Sequence, residues 1–517
     1  MNALKILQRY FPVPGTAESD REILESAFVN VEESLEVLNP PVASPRLMIG
    51  RKGSGKSAYL NFFRTRFLAA GIPVLLLKPE DLDLNAFEKD DAMGEMVKKA
   101  KTCIQGCIAD ELGKQLGTFL TAKHEATLSS FLVASGAKPK DFIQKLHTVL
   151  TEVAKAATSI DFEKISNSLQ SITPSLLREA IYQNVGVSGK VLYVMLDDTD
   201  QVALPTDPNH LNRIWAFILA ARSILGECHE IRIIISLRLE VWIRLQRDNA
   251  GQRDQVDHFR GLIYELNPSE EHVRAIVMKR LELAKADAER KALLPKLDTV
   301  GGDLFLPFFE QTGVTIPTSK TNRFTSWGDL IIKRSRERPR DAIQFVAMLI
   351  NAAIKCKHAK ISQEVVADTL RRYSSERVDD ISKEVESECP QLKEVIRSFA
   401  NLSLDRDAFK ASADCIMNHL VRLPGRMGIF LLGKSLGTNR NDAFLLWRFL
   451  FDVGFFGARI ETEISSDQPK GFDHLMALKT PDLVKSERWN DMQKCTWEIN
   501  PAYRDFLISE NIGIHLK

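Results

Sequence analysis

The stretch RLMIGRKGSGKSAYL, residues 46–60, decides the fold. Residues 46–49 form a short apolar run that ends at Gly50. The residues after Lys56 carry helical spacing with a stop at Gly71. The segment reads as strand, loop, helix. Gly50, Gly55, Lys56 and Ser57 fit G-x-x-x-x-G-K-[ST], a pattern that average composition produces in about one chain of this length in fifty. At Gly53 and Gly55 the backbone N–H groups can curl around a phosphate where a side chain would collide, and the helix N-terminus adds partial positive charge. The loop set is Gly50, Arg51, Lys52, Gly53, Ser54, Gly55, Lys56, Ser57 and Ala58. Within it, Lys56 would bridge the β- and γ-phosphates of a nucleotide, and the Ser57 hydroxyl would ligate Mg²⁺.

A phosphate loop needs a carboxylate at the end of a neighbouring strand, and KVLYVMLDDTDQ, residues 190–201, supplies two. Residues 191–196 are the continuous apolar run of a buried parallel strand. Asp197 would hold Mg²⁺ through water, and Asp198 would orient the attacking water as a general base. The plain alternative is an acidic turn. Because adjacent carboxylates repel, one of the pair should be partly protonated until the ion arrives. A further strand, IRIIISLR (231–238), ends in Ser236 and Arg238, either of which would reach a γ-phosphate; alternatively Arg238 only pairs with Glu240 or another nearby acid. Two more strands read from IPVLLLKPEDL (72–82) and GLIYEL (261–266), so the expected core is a parallel α/β sheet.

At 517 residues the chain is long enough for several domains. A net charge of +1 leaves nucleic-acid binding to local basic surfaces. Cys103 and Cys107, at i,i+4 with no His nearby, read as half-buried helix cysteines rather than a zinc pattern. No apolar run is long enough for a membrane span, MNALKILQRYF lacks a signal peptide's apolar stretch, and a cytoplasmic setting is expected.

The expected organisation is an N-terminal helical segment (1–36), an α/β core (37–266) with a helical insertion at about 88–184, a helical lid (267–381) and a winged-helix-like domain (382–517). The insertion would bind a partner, serve oligomerisation or pack on the core. In the lid, RERPRDAIQF starts a helix at Pro339 flanked by Arg338 and Arg340, which would either reach a γ-phosphate or only pair with Asp341 or Glu337. DAFLLWRFLFDVGFFGARI, the polar excursion ETEISSDQPKGFD and the strand-like TWEINPAYRDFL follow the pattern of a winged helix. Its recognition helix shows Asp442, Trp447 and Arg448 with little basic clustering, so direct base reading has weak support and protein contact or packing is at least as well served.

Taken in order, FPVPGTAESD, IGRKGSGKSAYL, VMLDDTDQV, IIISLR, ELNPSEEHVRAIVMKRLELA and RERPRDAIQF resemble bacterial P-loop ATPases of the AAA+ and STAND type, with origin-recognition-like lid and winged-helix parts. The resemblance implies ATP and Mg²⁺ as ligands. It implies Lys56 and Ser57 at phosphate and metal, Asp197 and Asp198 at metal and water, Arg238 as one sensor and Arg340 as a second. It also implies a place among antiviral defence genes beside a separately encoded effector protein. Asp198 stands where such enzymes carry Glu, and no arginine finger stands out among Arg213, Arg222, Arg238 and Arg244, which points to slow or assembly-dependent turnover. The expected function is an ATP-driven switch that forms a homo-oligomer or a partner complex. A DNA-dependent ATPase is the alternative, ahead of a small-molecule kinase or a non-hydrolysing scaffold.

Overall fold

The structure, a computed structural model, describes residues 3–13, 15, 20, 22–29, 36–40, 43–88, 90–115, 191–203, 209–247, 256–295, 303–316, 324–402, 409–462, 471–477, 480 and 482–515. Along the chain, helices α1 (Ala3–Tyr10) and α2 (Leu24–Ala27) precede β1 (Arg46–Gly50), α3 (Lys56–Ala69), β2 (Val74–Leu77) and α4 (Met93–Gln115). Then come β3 (Leu192–Leu196), α5 (His210–Glu227), β4 (Ile231–Arg238), α6 (Leu239–Arg247), α7 (Val256–Phe259) and β5 (Ile263–Glu265). Two compact units result, one of residues 30–267 and one of residues 1–29 with 268–517.

In the first unit the five expected strands form one sheet in the order β2-β3-β4-β1-β5, every pairing parallel. The Val, Ile and Leu runs of β1 to β4 are largely buried, as a sheet covered on both faces requires, while β5 at the edge is half-buried. The carboxylate strand β3 is not a neighbour of β1 as expected; β4 lies between them. Pro79 ends β2 early, turning the rest of IPVLLLKPEDL into a single 3₁₀ turn, because proline has no N–H to give the ladder. Most of the expected insertion lies outside the described residues, but its start is α4. That helix packs on α5, with Lys101 paired to Glu227 at 2.6 Å. Cys103 and Cys107 are half-buried on α4, as their spacing predicts.

The second unit continues with α8 (Glu270–Arg290), β6 (Gly313–Thr315), β7 (Phe324–Ser326), α9 (Trp327–Arg334), α10 (Pro339–Lys355), α11 (Val366–Glu384) and α12 (Leu392–Ser398). Next are β8 (Lys410–Ala411), α13 (Ala413–Arg422), β9 (Phe430–Leu431), β10 (Lys434–Ser435), α14 (Arg440–Asp452), β11 (Phe456–Thr462), β12 (Gly471–Leu475), α15 (Trp489–Lys494), β13 (Thr496–Ile499) and α16 (Pro501–His515). The winged-helix pattern takes shape as an antiparallel sheet, β12-β11-β13-β8, with α12, α13 and α14. The strand-like reading of TWEINPAYRDFL holds only to Ile499. Pro501 then starts α16, and the Asn500 side chain accepts the Ala502 N–H at 3.1 Å, which caps it. Helix α1 packs its apolar side, Leu4 and Leu7, into the same core as Phe11, Val277, Trp327 and Phe345. Buried Arg280 on α8 clamps this segment by pairing with Asp20 and donating to the Tyr10 carbonyl.

A buried polar seam joins α9, α10 and α11 to α16. Asp341 receives Arg336 at 2.6 Å and Arg377 at 2.7 Å, while Arg336 also reaches the Tyr503 hydroxyl at 2.6 Å. Arg334 pairs with Asp505 at 2.9 Å, and Ser374 donates to the Ala502 carbonyl at 2.7 Å. Burial pushes the Asp341 carboxyl up, but Arg336 and Arg377 outweigh it and hold the group below the usual carboxylate range. Arg338, expected to face a phosphate, is instead buried 3.8 Å from Glu384. Asp442 and Trp447 of α14 prove structural. Trp447 is fully buried, and Asp442 accepts from the Gly437 N–H, Lys434 and Asn439, tying the β9–β10 hairpin to the helix.

Asp341→Ala strips the carboxylate from two buried guanidinium groups and is expected to cost about 3–5 kcal/mol in urea unfolding. The exposed Asp368→Ala, whose pairing with Arg371 is solvent-washed, should stay within about 0.5 kcal/mol. The Gly437 N–H, Lys434 and Asn439 hold the Asp442 carboxyl down to about 2. Its contribution to stability is therefore present above the unfolded value of about 4 and lost as pH falls toward 2. Acid unfolding followed by tryptophan fluorescence should lose part of its slope in that window in Asp442→Asn.

Candidate active site at the edge of the parallel sheet

Because β1, β3 and β4 run in parallel, their C-terminal ends meet at one edge, and Gly50 stands opposite Arg238 in the ladder while Met48 stands opposite Ser236. Gly50 has no room for a side chain: a Cβ there would sit 2.6 Å from Ser54 Oγ and 2.9 Å from the Leu266 carbonyl. Gly55 has φ 104°, a conformation side chains rarely adopt, and it opens α3 with no side-chain cap. The first N–H groups of α3 are thus left for an anion. Ser54 is buried, and its Oγ has no hydrogen-bond partner among the described residues.

Lys56 is buried, and its Nζ donates to the Gly50 carbonyl at 2.8 Å and the Arg51 carbonyl at 3.3 Å. Burial lowers its pKa, against the opposing pull of Asp200, Glu240 and Asp197. At the end of β3, Asp197 is 1% exposed. Ser236 donates to Asp197 Oδ1 at 2.6 Å and accepts the Asp198 N–H at 3.0 Å. Asp197 Oδ2 is buried with no hydrogen-bond partner among the described residues, the arrangement expected of an oxygen reserved for a cation or its water. Asp198 sits in the left-handed region at φ 50°, which turns the chain sharply into the 3₁₀ segment Thr199–Gln201. Burial, then Asp197 and Asp200, raise its carboxyl above the ordinary range.

The structure brings Gly50 through Ala58, Asp197, Asp198 and Arg238 together in one unit. Arg340 belongs to the other unit, at the first turn of α10, and among the described residues its side chain has no ion-pair partner. Ser236 is not a phosphate contact; it is fully buried and committed to the Asp197 carboxylate and the Asp198 backbone N–H. Arg238 pairs through Nε with Asp200 Oδ2 at 3.0 Å, not with Glu240. Asp200 and Glu240 escaped the sequence reading, although the third acid of DDTDQ was in plain view. It takes the turn at Asp198 to bring that acid back to the site. Loop and carboxylates fit a nucleoside triphosphate with a divalent ion: a tight glycine cradle, uncapped N–H groups, a buried lysine and a free carboxylate oxygen. Among the described residues no His, Cys, Asp and Glu cluster forms a metal site of its own, and no helix is long and apolar enough to cross a membrane.

A family model described as the FunZ-associated C-terminal helical domain matches residues 314–382. No curated protein matches the sequence. Among solved structures the chain is similar to the ORC2 protein of Aeropyrum pernix in its ADPNP–ADP complexes, at 11% identity over 99% of each chain with a TM-score of 0.42. It is similar to CDC6P from Pyrobaculum aerophilum, at 9% identity over 99% of each chain with a TM-score of 0.32. Drosophila ORC bound to DNA is a third, at 11% identity over 98% of this chain and 90% of that one, with a TM-score of 0.31. Similarity this remote assigns no role to any residue.

Gly50→Ala should lower stability by about 1–3 kcal/mol, because the added methyl would press on Ser54 Oγ and on the backbone carbonyl of Leu266. Gly94→Ala, where nothing lies within 4 Å, should be neutral or stabilising in the same thermal unfolding experiment.

Proposed function

We propose that this chain is a Mg²⁺-dependent ATP-binding and hydrolysing switch that assembles with itself or with a separately encoded partner, in the setting of bacterial antiviral defence. The observation that carries the reading is the unpartnered Oδ2 of Asp197 at the same sheet edge as the uncapped glycine loop. Four carboxylates, Asp197, Asp198, Asp200 and Glu240, act there on two cations, Lys56 and Arg238. So negative an edge would repel a bare triphosphate and favours one that arrives with a divalent cation. The defence setting rests on the motif resemblance alone.

In this reading the N–H groups of residues 53–58 and the Lys56 ammonium bind the phosphates, Lys56 exchanging its carbonyl contacts for phosphate oxygens. Ser57 and Asp197 would hold Mg²⁺, which when bound neutralises charge on the phosphate oxygens. Asp198 orients the attacking water and holds its proton. Its carboxyl is one carbon shorter than a glutamate's, which suits a slow cycle and a switch better than a motor. Arg238 senses the terminal phosphate, and Arg340, in the other unit, is a second sensor.

A DNA-dependent ATPase is the second reading, favoured by an open cleft of about 710 Å³ beside α14 lined by Lys434, Arg448 and Lys485. Against it, all three of those cations are engaged: Lys434 with Asp442 at 3.0 Å, Arg448 with Asp452 at 3.9 Å and Lys485 with Asp482 at 2.7 Å.

The test is ATP hydrolysis against protein concentration, with and without duplex DNA, using Lys56→Ala as the blank. Specific activity should rise with protein concentration and ignore DNA. Strong stimulation by DNA would move the reading to the second alternative, and wild type equal to the blank throughout would overturn hydrolysis by this chain.

A further inference from the structure

We propose that Asp200 is the positioning residue of the phosphate sensor: it grips Arg238 by Nε and so presents the two terminal nitrogens of the guanidinium to the γ-phosphate. The inference rests on the nucleotide reading above and adds to it the regulation of the same site.

Pairing and sensing look like alternatives for Arg238, but the geometry makes them one device. The ion pair uses Nε at 3.0 Å. Among the described residues neither Nη atom has a hydrogen-bond partner, and the Arg238 side chain keeps 25% of its surface exposed while that of Asp200 keeps 3%. A guanidinium held at Nε retains the fork of Nη donors that matches a phosphate in two parallel hydrogen bonds. Its backbone stands opposite Gly50, the first residue of the loop, so the fork lies beside the anion cradle. Asp200 in turn is fixed from below. It lies in the 3₁₀ segment that follows the left-handed turn at Asp198, and the Asp198 N–H is anchored to Ser236 on Arg238's own strand.

The arrangement also accounts for a buried carboxylate at a site built for phosphate. An unpaired Asp200 would repel the ligand, whereas one matched to Arg238 spends its charge on orienting the sensor. Held this way, the arginine is ordered before ligand arrives, and its two free donors gain a partner only when a third phosphate is present. The discrimination between triphosphate and diphosphate should therefore depend on Asp200, although Asp200 touches neither.

The experiment measures affinity for a non-hydrolysable ATP analogue and for ADP, each with Mg²⁺, by calorimetry on the full chain. The variants are Asp200→Ala, Asp200→Asn, Arg238→Ala and the Asp200→Ala/Arg238→Ala pair, with thermal unfolding recorded for each. Asp200→Ala is expected to weaken the ATP analogue by about tenfold or more while leaving ADP within about twofold, as lost charge-assisted bonds to the third phosphate would do. Asp200→Asn, which keeps an oxygen acceptor for Nε, should fall between. The double variant should lose no more than Arg238→Ala alone, because both act through one contact. If Asp200→Ala does not fold, Asp200→Asn carries the comparison.

An equal loss for both nucleotides, additive losses in the double variant, or tighter binding of the ATP analogue by Asp200→Ala would each overturn the proposal. The last would make Asp200 a restraint on Arg238 instead. Wild type that binds neither nucleotide, matching Lys56→Ala, would remove the nucleotide reading and this inference together. Wild-type binding with unchanged discrimination in Asp200→Ala would remove this inference alone.

Discussion

One hydroxyl organises the edge of the sheet. Ser236 donates to Asp197 Oδ1 and accepts the Asp198 N–H, and it can do both because β4, not β1, is the neighbour of β3. Asp197 Oδ2 is left without a partner among the described residues, and Asp198 turns away from regular strand geometry. Two residues on, the period of the strand returns Arg238 to the face that carries Ser236, within reach of Asp200. A single strand thereby addresses all three acids of DDTDQ: Ser236 takes the Asp197 carboxylate and the Asp198 N–H, and Arg238 takes the Asp200 carboxylate.

The same logic, polar groups buried only in company, runs through the other unit. Asp341 takes two guanidiniums, and Arg336 extends the network to Tyr503 on α16. Arg336 and Glu337 both adopt φ 56°, which is uncommon outside glycine, and the chain turns there between α9 and α10. Of the arginines in RERPR, the network takes Arg336 and Glu384 takes Arg338. Arg340 has no ion-pair partner among the described residues. The fold divides the arginines of this stretch into two that hold structure and one without an ion-pair partner among the described residues.

What the sequence disclosed follows from which interactions are local. The loop at residues 50–58 and the apolar runs of the five strands are set by backbone sterics and burial over a few residues, so their spacing was readable. The strand order was not, because it depends on pairings such as that of β1 with β4, which joins segments more than a hundred residues apart. Asp200 was hidden for a related reason: its role exists only after the turn at Asp198 and the arrival of Arg238 from another strand. The α1 segment read as a helix, but nothing in it announced that Leu4 and Leu7 would find their partners beyond residue 268. Pro501 shows the converse case, where a residue before a proline looked extended and the proline itself opened a helix.

The placement of α1 bears on how the chain assembles during synthesis. Residues 30–267 form one compact unit contained within the sequence of the other, whose first 29 residues lie on the far side of it. As the chain leaves the ribosome, the parallel sheet has all its strands by residue 265, whereas α1 and the Asp20 side chain must wait for Arg280 and for helices later still. The enclosed unit is thus free to fold first, and the enclosing one closes over a long chain separation, a topology that orders the two events in time and makes the later one the slower.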